Sequence, residues 1–151
     1  MTSKELNKYF KDIGLKITCR YYKRDVKGNI VSDKNGDPIH DTIQVTSSYI
    51  DTDEGWYQLI HDLIAELIKT NWDRKIIGVK EKFGGLRFQL NASTNEMFGI
   101  IRKYEELSYE TCEVCGEKGI LRDDCGSNGS RWYKTMCDKH YKELKTKRNQ
   151  Y

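Results

Sequence analysis

Three features of this 151-residue chain predict an α+β fold, a small antiparallel sheet with packed helices followed by a cysteine-paired C-terminal lobe. Apolar residues recur at helical spacing from Trp56 to Ile68, two alternating runs meet at Gly84-Gly85, and Cys112, Cys115, Cys137 and His140 form two close pairs. Helix, hairpin and helix together make one α+β layer pair. Hydrophobic residues make up 37% of the chain, charged residues 32%, and mean hydropathy is −0.79, so the core is small for the length. Aromatic residues at 11% argue against a disordered chain. Apolar runs are only a few residues long, against the ~20 needed to cross a bilayer. The polar start Met1-Thr2-Ser3-Lys4-Glu5 lacks the apolar stretch of a secretion signal. A cytoplasmic protein is the expectation.

Residues 1–50 read as a helix and a β-meander. Ser3 is a candidate cap for a helix over 3–13, with Leu6, Tyr9, Phe10 and Ile13 on one face and Gly14 placed to end it. Leu15 to Tyr22 alternates and is rich in strand formers, which makes Cys19 a core strand residue. Turns are expected at Lys27-Gly28-Asn29 and at Asp33 to Pro38, with Ile30-Val31 pairing with Ile39 to Val45. No internal repeat is evident.

Residues 51–110 form the helix–hairpin–helix core. Trp56, Leu59, Ile60, Leu63, Ile64, Leu67 and Ile68 make one continuous stripe on a helix over 53–69. Acidic residues before it and Lys69 after it complement the helix dipole. Period-two runs at 75–83 and 86–90, joined by Gly84-Gly85, predict a hairpin, because tight hairpin turns need positive φ. A second helix fits 94–107, capped by Thr94 or Ser93.

Residues 111–151 are read as a zinc-ribbon or knuckle lobe with a basic C-terminal helix. Two residues separate Cys112 from Cys115 and two separate Cys137 from His140, with 21 residues between the pairs. Such spacing lets a tight turn aim both side chains of a pair at one ion, and two pairs complete a tetrahedron suited to Zn²⁺. Cys125 is the alternative fourth ligand, although it has no paired neighbour. Four protein ligands leave no coordination position for water, so the Zn²⁺ is expected to be structural.

No catalytic constellation is legible. His40 falls in a turn, His61 in a helix beside Asp62, and Asp123-Asp124 in a Gly/Ser-rich loop where acids are usually solvated. The segment Phe83 to Leu86 joins two strands, unlike a phosphate-cradling loop. The net charge of +3 hides an asymmetry: residues 131–151 carry seven Lys/Arg against two acids, the rest 19 against 21. Arg131, Trp132, Tyr133 and Lys134 interleave cations and aromatics, as single-strand-binding surfaces do, and Lys142, Lys145, Lys147 and Arg148 would meet phosphates from a helix. Arg and aromatic residues also dominate protein-interface hot spots, so a protein partner fits the same residues, and Trp132 could instead pack beneath the metal.

The runs Gly55 to Ile60, Val79 to Phe88, Thr111 to Gly116 and Thr135 to Asp138 resemble a group of small phage and prophage proteins with a zinc-ribbon-like C-terminal end. The resemblance covers about residues 54–140 and is most specific at Lys80 to Arg87; residues 1–50 fall outside it. In that group the last metal pair is two cysteines, whereas here His140 holds the second position, making the set Cys3His. The resemblance implies zinc binding and phage origin. It implies no established reaction. The lack of a catalytic constellation and the rigid metal lobe lead instead to the expectation of a non-enzymatic protein that engages a host or phage macromolecule, including a bacterial defence protein such as a restriction or CRISPR effector. A nucleic-acid-binding protein, or an accessory to a nucleic-acid-processing enzyme, is the alternative.

Overall fold

The computed structural model describes residues 1–148, and among these the chain is α+β with three small sheets. Helix α1 (Ser3–Ile13) is capped by Thr2 rather than Ser3: the Thr2 hydroxyl accepts from the Glu5 amide at 3.2 Å and the Thr2 amide donates to Glu5 at 2.9 Å. This reciprocal box satisfies two otherwise orphaned donors, while Ser3 donates its hydroxyl to Glu54. Gly14 ends the helix at φ 69°. Strand β1 (Lys16–Tyr22) is flanked by antiparallel β2 (His40–Gln44) and by parallel β4 (Lys75–Ile76), so the sheet is mixed. Cys19 is only half-buried and lies outside the core.

Between β1 and β2 the chain contains a short repeat, set by its turns rather than by its apolar residues. Asp25 and Asp33, eight residues apart, each start a D-x-x-G-x turn. One carboxylate oxygen of Asp25 accepts from the amides of Lys27 and Asn29, and one of Asp33 from Asn35 and Asp37. Gly28 and Gly36 take the left-handed position, φ 84° and 82°. The matched turns stack Lys23, Val31 and Ile39 into a closed ring of amide-to-carbonyl bonds: Val31 donates to Lys23, Lys23 to Ile39 and Ile39 to Val31. Ile30-Val31 therefore joins this ring, and β2 pairs with β1 instead.

The second sheet runs β3 (Ile50–Asp51), β5 (Gly78–Lys82), β6 (Gly85–Gln89), with β3 parallel and β6 antiparallel to β5. A 3-10 turn at Glu54–Trp56 leads into α2 (Tyr57–Ile68), so the apolar stripe begins one turn before the α-helix proper. Trp56, Ile60, Leu63, Ile64 and Leu67 are fully buried, together with Leu6, Phe10 and Leu15 from the first fifty residues. Each such side chain contributes roughly 1.5–3 kcal/mol. Helix α3 (Asn95–Ser108), capped by Thr94, covers the outer edge of β6. There the Leu86 amide donates to the Ser108 hydroxyl and the Phe88 amide to Glu105, each at 2.9 Å, so the strand edge has no free donor at these positions. Tyr104 and Lys103 both donate to Glu66 and tie α3 to α2; burial and Glu66 push the Tyr104 phenol up to about 12. No helix among the described residues is long and apolar enough to cross a membrane.

The hairpin turns on Phe83-Gly84, one residue earlier than the Gly84-Gly85 link, because Gly85 already pairs with Lys82. Both turn residues have positive φ, 54° and 81°, as a type I′ turn requires. Gly85 must lack a side chain for a different reason: a Cβ there would overlap the Tyr109 ring. An aromatic in the left-handed region costs about 1–2 kcal/mol, while the edge-on contact of Phe83 with Tyr133, centroids 6.4 Å apart, returns about 0.5–1.5 kcal/mol. Phe83→Asn is therefore expected to leave stability within about 1 kcal/mol of the parent, read by urea unfolding; a loss above ~2 kcal/mol would contradict this balance.

Candidate metal centre

The first pair of donors sits in a tight knuckle. The Cys112 amide donates to the Glu117 carbonyl at 2.7 Å, the Gly116 amide returns to the Cys112 carbonyl at 2.8 Å, and Gly116 adopts φ 82°. An antiparallel hairpin, β7 (Ile120–Arg122) with β8 (Lys134–Met136), carries the chain to Cys137. Helix α4 (Asp138–Arg148) begins at once, and its first turn brings His140 beside Cys137. The second pair thus rides a helix start rather than a second knuckle, and the helix's positive end faces the sulfurs.

The four donor atoms lie within 4.8 Å of one another, the one group of three or more such residues that could hold an ion among the described residues. Cys115 Sγ is 3.9 Å from Cys137 Sγ, and His140 Nδ1 is 3.7 Å from Cys112 Sγ and 3.2 Å from Cys137 Sγ. A tetrahedron with metal–sulfur bonds of about 2.3 Å places sulfurs about 3.8 Å apart, close to the 3.9 Å between Cys115 and Cys137, so the group could hold a metal ion. The other ring nitrogen, Nε2, is 4.0 Å from Glu143, placed to orient the imidazole from outside the donor set. Cys125 is buried in the same small apolar cluster as Cys112 and Met136, but it does not join the donor group.

The surroundings of the sulfurs hold their protons unequally. The His140 backbone amide and imidazole pull the Cys137 thiol down to about 7, whereas burial and the adjacent thiols push Cys115 up to about 11. Thiolates are the ligands, so at neutral pH loading must displace at least the Cys115 proton, and metal affinity must fall as pH falls. Calorimetric titration at pH 7 in buffers of different ionisation enthalpy is expected to show that release; a buffer-independent heat would contradict it.

The lobe is seated on the core through backbone. The Gly55 amide donates to the Glu113 carbonyl at 2.7 Å, and the Trp56 indole N–H to the Thr111 carbonyl at 2.8 Å. From the other side, the buried Thr135 hydroxyl donates to the Gly84 carbonyl at 2.7 Å. Glu113, 3% exposed, accepts from the Asp53 amide at 3.0 Å, and burial pushes its carboxyl upward. Lys134 lies 3.5 Å from Glu113 and 3.8 Å from Glu81, bridging lobe and hairpin. Residues around Gly55, Gly84 and Cys112 thus converge on this seam.

The other candidates divide between exposed positions and contacts within the chain. Trp132 is 57% exposed and does not pack beneath the metal donors. Asp124 is not merely solvated: Tyr141 and Lys145 both donate to it and hold its carboxyl below the usual range, fastening α4 to the 122–125 segment. Lys134 and Lys145 are consequently engaged within the chain, and Arg148 donates to the Ser127 hydroxyl, whereas Arg131, Lys142 and Lys147 are exposed. The His61 ring lies tilted against Tyr9, centroids 4.2 Å apart, and contacts Asp62; His40, at the start of β2 rather than in a turn, lies tilted against Tyr22. The residue missed altogether is Phe83, which lines a cleft of about 500 Å³ with Glu81, Lys82, Arg131, Trp132 and Tyr133. An aromatic immediately before glycine at a hairpin tip was its available signal. Comparison with known protein families, with curated protein sequences and with solved structures finds no match to this chain.

Proposed function

We propose that this is a non-catalytic binding protein, stabilised by a structural Zn²⁺ at Cys112, Cys115, Cys137 and His140, which offers the outer face of its metal lobe to a host or phage macromolecule. The observation that carries this reading is the closure of the donor set. Three cysteine sulfurs and an imidazole stand within 4.8 Å of one another, and that mixture of soft and borderline donors suits Zn²⁺ once the thiols are deprotonated. Four protein ligands fill its coordination, leaving the ion to hold the lobe's shape rather than to activate water.

The face beside it supports binding. Phe83 and Trp132, 63% and 57% exposed, flank a cleft, and large exposed aromatics next to arginine are characteristic of interaction sites. The test is recovery of partners from bacterial lysate by the tagged, zinc-loaded full chain, with and without nuclease, against Trp132→Ala. The expected result is a specific macromolecule captured by the parent and absent with the variant. Hydrolysis of DNA or RNA that disappears in Asp123→Ala or His61→Ala would overturn the non-catalytic reading.

A further inference from the structure

We infer that the cleft between the β5–β6 turn and the zinc lobe takes an unpaired nucleobase, so that the macromolecule bound is single-stranded nucleic acid; this deepens the proposed binding role and rests on it. Three aromatic side chains from two distant stretches line the cleft: Phe83 at the hairpin tip, and Trp132 and Tyr133 just before β8. The Phe83 and Tyr133 rings meet at 86°, giving two perpendicular walls. At about 500 Å³ the cleft is in the size range of small-ligand sites, ~300–1,000 Å³.

Phe83 is unusual in two respects at once. It occupies a left-handed turn position that asparagine or glycine fills without strain, and it leaves most of its ring in water. Strain of this kind is retained where the surroundings give it a use. The charges favour a nucleic-acid strand over an apolar peptide. Among the described residues neither Lys82 nor Arg131 forms an ion pair, and the Lys82 ammonium lies 5.6 Å from the Phe83 ring centroid, so cation and stacking platform are adjacent. The acid of the cleft, Glu81, is already committed: it accepts from the Gly84 amide at 3.0 Å and faces Lys134. With that charge turned to Lys134, the rings of Phe83, Trp132 and Tyr133 are left to receive a base and Lys82 and Arg131 to meet phosphate. This places the base inside and the phosphates on the rim with Lys82 and Arg131. Duplex DNA keeps its bases stacked and cannot enter.

The experiment is fluorescence anisotropy of the zinc-loaded full chain with labelled oligothymidylate, its oligouridylate counterpart and the matching duplex. Tighter binding of the single strands than of the duplex is expected. Phe83→Asn and Trp132→Ala should each weaken it by about tenfold, the effect of removing one base–aromatic stack. Replacing Arg131 and Lys82 together with alanine should flatten the salt dependence by about 0.7 for each phosphate no longer neutralised. None of these residues is a metal ligand, and unchanged zinc content and melting will certify the fold of each variant. Equal affinity for duplex, or binding indifferent to both aromatic variants, would overturn the inference. If no oligonucleotide binds while a nuclease-resistant protein is captured by the parent and not by Trp132→Ala, this inference fails and the broader binding role stands.

Discussion

Replacing Cys112 with serine is expected to abolish stoichiometric metal and to unfold the C-terminal lobe while leaving α2 folded. Cys112 is fully buried, and its amide and carbonyl are the two ends of the knuckle. A serine hydroxyl keeps the shape but supplies no thiolate. The lobe has little else to hold it: the buried apolar set is Cys112, Cys125 and Met136, with Cys137, Tyr141 and Leu144 half-buried around it. Full burial of one such side chain is worth at most about 1.5–3 kcal/mol, whereas a structural zinc site contributes an apparent ~10–16 kcal/mol at neutral pH. The metal therefore dominates. Helix α2 draws on a different cluster, Ile60 to Leu67 against Leu6, Phe10, Leu86 and Met97. Hydrogen exchange should show amides of 112–137 losing protection while those of 57–68 keep it. Zinc analysis should fall from one ion per chain to background. Stoichiometric zinc in both Cys112→Ser and Cys137→Ser would refute the ligand assignment.

The second large effect comes from a residue that touches no metal. A Cβ at Gly55 would overlap the carbonyl oxygens of Cys112 and Glu113 and stand 2.5 Å from the Glu113 carbonyl carbon. These are backbone atoms of the knuckle, so no rotamer change relieves the clash. Gly55→Ala must move the lobe off the core and stretch the Gly55-to-Glu113 bond. Overpacking costs about 1–3 kcal/mol; with a seam bond worth ~1 kcal/mol also compromised, a loss of about 2–4 kcal/mol is expected. At about 2–4 °C per kcal/mol for a chain of this size, that corresponds to a fall in Tm of roughly 4–16 °C, with zinc content unchanged. Gly99→Ala is the control, because its Cβ would meet open space on α3 and alanine favours a helix interior by up to about 1 kcal/mol. Equal melting of Gly55→Ala and the parent would mean that the lobe is not seated as described.

What could be read from the residues, and what could not, divides along the range of the interactions. The stripe from Trp56 to Ile68 was legible because helix period and burial agree at nearly every position. The four donors were legible because paired spacing is a local signal, two residues within each pair, and the fold brings both pairs together. Parallel pairing of β3 with β5 was not, since a two-residue strand carries no periodic signal and its partner lies almost thirty residues away. The role of Gly55 was hidden for the same reason: it follows from the approach of residues 112–113, on the far side of the core helices in sequence. At the turn, Gly84-Gly85 offered the better sequence signal, yet the second glycine is reserved for the close approach of Tyr109 and the turn moves onto Phe83. Half of the cleft, Arg131 to Tyr133, was visible as interleaved cations and aromatics. Its other wall became visible only when the fold brought the hairpin tip to it.

A closed Cys3His zinc site underlies everything proposed for the lobe, and X-ray absorption at the zinc edge on the purified full chain tests it most directly. The expected spectrum fits three sulfurs at about 2.3 Å and one nitrogen at about 2.0–2.1 Å. A four-sulfur shell would put Cys125 in place of His140, and two or more light-atom ligands would mean an open coordination position and a chemistry other than the one proposed.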